Sequence, residues 1–225
     1  MNSTCTSRHR GAAEPIVWSS ASARGVILLD GSGSWGAGAE AAAWIRHALA
    51  ERLPDEEIEP KTVSAELTRA IAQLPDSISG DELGWHFSIA AVLFGGTHVQ
   101  VTALGVFSIL LIHNQEARPL VTAKRLIDDL VAAGHLSRAE AEQHEYRKIL
   151  VGPFFGPGAT ELCWSEPVPV SSADQILIGD ASIITCVAAH ASLLQIRHAL
   201  ALRDELERLG GHSCPTAILS CAHGP

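Results

Sequence analysis

The stretch from His86 to His113 constrains the fold most. It holds three apolar, β-rich runs, His86 to Phe94, Val99 to Leu104 and Val106 to His113, separated by short turns of which Gly95-Gly96 is the clearest. Turns this short join antiparallel neighbours, because a parallel return needs about a dozen residues or more. The spacing therefore predicts an antiparallel meander.

Helical patterns flank it. Ala39 to Leu53 is Ala-rich and stops at Pro54, which cannot continue a helix. Val63 to Leu74 places Leu67, Ile71 and Leu74 on one helical face. Past the meander, Thr122 to Ala133 ends at Gly134, and Ser137 to Tyr146 opens with Ser137 and Glu140 at capping-box spacing. Extended segments come next at Thr160 to Val170 and Gln175 to Gly179, beyond a Gly- and Pro-rich loop from Gly152 to Gly158. Cys186 to Leu209 reads as a long amphipathic helix closed by Gly210-Gly211, and Thr216 to Ser220 as a last strand. An apolar run at Gly25 to Asp30 precedes the first helix as a buried strand. Helices grouped between antiparallel strands predict a layered α+β domain. No linker divides the 225 residues, so residues 14–225 are expected to form one domain after a flexible, polar N-terminus at residues 1–13.

Charge and cysteine content narrow the function. The formal net charge is -9 and no run of basic residues occurs, which excludes a general binder of nucleic-acid backbones. Five cysteines, Cys5, Cys163, Cys186, Cys214 and Cys221, form no C-x-x-C pair, so a reducing cytoplasm is expected. Arg8 and Arg10 precede no apolar leader segment, and the longest apolar runs, such as Val106 to Ile112, fall far short of the ~20 residues of a membrane helix. The wealth of Ala, Gly and Arg hints at a high-GC bacterium.

Gly31, Gly33 and Gly36 satisfy G-x-G-x-x-G between a strand and a helix, the context of a dinucleotide site. The downstream chain contradicts a dinucleotide reading. A parallel strand ending in an acidic residue should come after the helix, but the chain runs through Asp55, Glu56, Glu57 and Glu59 into a second helix. Asp30, immediately before the loop, would also repel a pyrophosphate.

The same residues resemble another family. Asp30-Gly31-Ser32-Gly33-Ser34-Trp35-Gly36-Ala37-Gly38 is similar to the Asp-Gly-x-Gly-Gly loop of the metal-dependent PPM (protein phosphatase 2C-like) serine/threonine phosphatases of bacteria. Leu104-Gly105-Val106-Phe107-Ser108 sits where that family has Gly-Asp-Ser-Arg. Leu120 to Leu150 looks like its pair of short helices, with Leu130 to Glu142 holding the turn between them, Asp174 to Ala181 like its strand ending in Ser-Asp-Gly, and Ser213 to Ile218 like its terminal Asp-Asn-x-Thr strand. The match runs in order through nearly the whole chain. It implies a four-layer α/β/β/α sandwich and a pair of Mg or Mn ions held by carboxylates and a glycine carbonyl, here Asp30, Gly31 and Asp180.

Several family positions are changed. Val106 stands for the Asp of Gly-Asp-Ser-Arg and Ser108 for its Arg; Pro15, beside Glu14, and Ser213 stand for acidic metal positions. Ala123-Lys124-Arg125 replaces an acidic-Asp-His element, and Ala181 a glycine. Two divalent ions about 4 Å apart repel by roughly 16 kcal/mol at an effective dielectric of 20. Asp30, Gly31 and Asp180 are too few to offset that, although they could hold a single Mg or Mn weakly. The expectation is a catalytically inactive protein that binds a protein or peptide as a regulatory or scaffold component, of a biosynthetic pathway in one version. The alternative is a weak phosphatase with a reduced metal site. Trp35, in a loop that favours small residues, either plugs the emptied cleft or anchors a partner. A homodimer through a sheet edge or the last helix is compatible with the sequence. Zinc on His212, Cys214, Cys221 and His223 is disfavoured, because the strand between the two cysteines would span roughly 23 Å. Cys186 and His190 are four apart and share a helix face, and a Cys-His nucleophile pair has no local signature anywhere in the chain.

Overall fold

The computed structural model describes residues 4–6, 15–19, 23–33, 37–53, 58–79, 85–149, 151, 161–180, 187, 190, 205 and 216–221. Two five-stranded antiparallel sheets lie face to face. One has the order β2 (Ile16–Ser19), β3 (Ala23–Gly33), β4 (Trp85–Gly95), β5 (His98–Leu104) and β8 (Val168–Pro169). The other has the order β1 (Thr4–Thr6), β10 (Thr216–Ser220), β9 (Gln175–Asp180), β6 (Phe107–His113) and β7 (Glu116–Val121).

Period-2 alternation divides the side chains of β3 and β4 between two cores. Ile27, Leu29, Phe87, Ile89 and Leu93 pack outward on α1 (Ala37–Arg52), α2 (Pro60–Ala72) and α3 (Asp76–Ser79). Val26, Leu28, Ala90, Val92 and Phe94 face inward against Phe107, Ile109, Leu111, Ile176, Ile178 and Leu219 of the other sheet. Leu110, Ile112, Leu177 and Ile218, on the far face of that second sheet, are buried as well. Strands covered on both faces explain why β4 and β6 read as nearly continuous apolar runs. The fold is the α/β/β/α sandwich that the resemblance implied. Among the described residues no helix is long and apolar enough to cross a membrane.

The expected meander is only partly correct. β4 and β5 pair as a hairpin, but β6 pairs with β7 and β9 and belongs to the opposite sheet. Gly105, at φ +81°, makes the corner, a conformation that side-chain-bearing residues rarely adopt. A short glycine turn serves a corner between sheets as well as a hairpin, so turn chemistry alone cannot choose. β7 is an edge strand interrupted by Pro119, which hid it from the sequence pattern. Within the N-terminal segment expected to be flexible, Thr4–Thr6 instead pair with β10.

The helices obey their capping signals. α4 (Leu126–Ala132) and α5 (Arg138–Gln143) are both shorter than the sequence suggested. At α5 the Glu140 N–H donates to Ser137 Oγ at 3.2 Å and the Ser137 N–H to Glu140 Oε2 at 2.7 Å. A 3₁₀ turn, Glu145–Lys148, comes after it. The expected helix from Cys186 to Leu209 lies outside the described residues except at Val187, His190 and Glu205, as does the loop from Gly152 to Gly158.

Candidate functional site: two carboxylates at one end of the sandwich

β3 runs on through Gly33, so Asp30 and Gly31 lie inside a strand instead of a loop. A Cβ on Gly31 would sit 1.9 Å from the Gly38 carbonyl oxygen and 2.5 Å from the Ala39 nitrogen. Only a glycine lets the first turn of α1 press this closely onto β3.

Register places the carboxylates. Asp30 is opposite Ser88 on β4, and both share the parity of Leu28 and Ala90, which face the space between the sheets. Asp180, the last residue of β9, is opposite Phe107 and shares the parity of Ile176 and Ile178, which face the same space. A cross-sheet bond ties the two levels together: the Val106 N–H donates to Ser88 Oγ at 3.2 Å, and Val106 immediately precedes Phe107. Asp30 and Asp180 therefore meet the intersheet space at the same end, each partly exposed, over an apolar floor that includes Phe107, Leu28 and Ile178. His86, exposed and opposite Ser32, extends the same inward row toward the rim.

The changed positions are occupied by structure. Ser108 is 0% exposed, and its Oγ accepts the Ala123 N–H at 3.0 Å, fastening the start of the α4 segment to β6. Arg125 pairs with Asp128 of α4 through Nη2 to Oδ1 at 2.8 Å and Nε to Oδ2 at 3.1 Å. This side-chain bonding from Arg125 holds the Asp128 carboxyl below the usual carboxylate range. Lys124 pairs with Asp129 at 2.8 Å. The basic side chains are thus turned onto their own helix.

A two-ion centre needs several anionic oxygens around one point. At this end Val106 is apolar, Ser88 Oγ is committed to a backbone amide, and among the described residues no three His, Cys, Asp or Glu side chains gather as a metal-binding group. The described donors do not fit such a centre. Trp35, Cys186, His212, Cys214, Ser213, Ala181 and His223 lie outside the described residues. Cys221 is buried, and burial, then the charge of Asp174, pushes its thiol up to about 12, so it cannot supply a thiolate near neutral pH. Ser88 was not anticipated from the sequence; the inward parity of His86, Ser88 and Ala90 along the second strand was the available signal.

No sequence-family description and no curated protein sequence matches the chain. Solved structures do. The serine/threonine phosphatase of S. agalactiae superposes with a TM-score of 0.73 at 19% identity, covering 99% of this chain and 98% of that one. Stp1 from Staphylococcus aureus gives 0.74 at 16% identity, covering 96% and 91%. The catalytic domain of PstP, solved in complex with two manganese ions, gives 0.68 at 20% identity, covering 96% and 93%. The chain has the fold of the PPM-type serine/threonine phosphatases.

Proposed function

We propose that this phosphatase-fold chain binds a protein or peptide and regulates or scaffolds a process, without turning over phosphate itself. One observation carries the reading. Where the resemblance places the Arg of Gly-Asp-Ser-Arg, the chain has Ser108, fully buried and bonded to a backbone amide. Two residues away, Val106 replaces a metal carboxylate. Both changes remove charge that the resemblance implies, and the loss at Val106 falls at the carboxylate end, where a metal pair needs anionic oxygens. An emptied cleft on an intact scaffold is suited to holding an extended segment, with Trp35 as its aromatic anchor. Cysteine usage favours action in the cytoplasm.

The convergence of Asp30 and Asp180 favours a second reading, a weak phosphatase working through one Mg or Mn held by these two carboxylates and the Gly31 carbonyl. Turnover of a phosphothreonine peptide in millimolar Mn separates the two. The binding reading expects no turnover above buffer. It also expects affinity for a purified partner to fall about tenfold, or ~1.4 kcal/mol, in Trp35→Ala. Turnover abolished by Asp30→Asn would establish the second reading instead.

A further inference from the structure

β6 and β9 carry a second polar cluster at the end opposite the carboxylate cleft. Asp174, one residue before β9, is only 2% exposed. Its Oδ2 accepts the Ser171 N–H at 2.7 Å, and its backbone carbonyl accepts the Cys221 N–H at 3.0 Å. Its Oδ1 lies 2.8 Å from Nδ1 of His113, the last residue of β6. The next two residues, Asn114 at φ +48° and Gln115 at φ +66°, form the turn into β7 in the left-handed region, which side-chain-bearing residues adopt only under strain. Asn114 Nδ2 lies 2.8 Å from His113 Nε2.

With the Asn114 amide nitrogen facing the ring, these two contacts select one tautomer. A carboxylate only accepts, so Nδ1 must carry hydrogen; an amide nitrogen only donates, so Nε2 must be bare. His113 is therefore held as the neutral Nδ1–H tautomer, clamped between a buried carboxylate and a strained turn. A proton added at Nε2 leaves the Asp174 bond intact but sets two donors against each other at the Asn114 contact, so the exposed Asn114 amide must turn from its present position.

We propose that His113 is a proton-operated latch on the β6–β7 turn: neutral, it clamps Asn114 and the turn; protonated, it keeps Asp174 and lets the turn loosen. Asp174 and Glu116, the cross-strand partner of His113, are the acidic groups at the ring, and Arg118, further along β7, is a basic one. Cys221, from the end of β10, stays a neutral thiol, and Arg24 of β3 acts on that thiol from the other sheet. The edge strand that the latch releases leads through Val121 into the segment carrying α4 and α5.

The test is ¹⁵N NMR of the His113 ring together with amide exchange at Gln115 and Glu116, at pH about 8 and about 5.5, either side of the usual imidazole range. With exchange corrected for its intrinsic pH dependence, the Nδ1–H tautomer should be present at the higher pH. Exchange should rise about tenfold at the lower pH, equivalent to ~1.4 kcal/mol. Asn114→Asp supplies an acceptor for Nε2–H and should reverse the trend, tightening the turn at low pH. Asn114→Gly keeps the backbone conformation without the amide and should give fast exchange at both pH values. An Nε2–H tautomer at pH 8, or wild-type exchange changing less than twofold, overturns the proposal.

Discussion

The two ends of the sandwich are built from the same strands and solve different problems. β3 begins near Arg24 and reaches Asp30; β6 begins at Phe107 and ends at His113; β9 is preceded by Asp174 and ends at Asp180. At the cleft end the structure is joined by neutral bonds, Val106 N–H to Ser88 and Ala123 N–H to Ser108, while the two carboxylates sit partly exposed. At the far end a single buried carboxylate gathers a backbone amide and an imidazole, and its own residue's carbonyl fastens the end of β10. A carboxylate is structural when donors already surround it, as at Asp174; at the rim, the described residues supply only two carboxylates where a dinuclear centre needs more anionic oxygens. What matters is how many anionic oxygens face one point.

Substitutions can break this comparison, beginning with the largest effect. Gly31→Val should prevent folding or cost at least ~3 kcal/mol by urea denaturation, because its Cβ would overlap the Gly38 backbone. Such a loss would show that the cleft end depends on the close packing of α1 against β3. Asp174→Ala should cost about 2–3 kcal/mol, since it strips the Ser171 amide and His113 of a charged acceptor.

Asp174 also sets a pH dependence. Burial, the largest influence, pushes its carboxyl upward; hydrogen bonds from the Ser171 backbone and from His113 outweigh it, leaving the carboxyl below its ordinary value. A group depressed in the folded state adds stability above its unfolded value, and that contribution is lost as pH falls through the folded value. Wild-type stability should therefore decline below pH about 4, and Asp174→Asn should decline less steeply over that window. Ser88→Ala should cost about 1–2 kcal/mol by leaving the Val106 N–H without its acceptor. A loss at Ser88 as large as that at Asp174 would erase the distinction between the two ends. Ser137→Ala, in neither cluster, should cost about 1 kcal/mol through loss of the α5 cap.

How much was legible in the sequence depends on the range of the signal. The capping box at Ser137 and Glu140 and the β4–β5 hairpin are local and were readable. The sheet to which β6 belongs was not, because Gly105 turns a corner with the same residues that would close a hairpin. β7 was hidden by Pro119, and the pairing of Thr4–Thr6 depends on a strand more than 200 residues away. Asp30 and Asp180 were named through the resemblance, and strand parity brings them to one end. Ser88 and the His113–Asp174 pair went unread because each depends on a partner that only the register supplies.

The central claim is that the cleft end lacks the charge to hold two cations. Isothermal titration of Mn tests it directly, with Asp30→Asn and Asp180→Asn as controls. The account predicts at most one weakly bound ion per chain, lost in either variant. Two ions bound per chain, with phosphopeptide turnover, would contradict it.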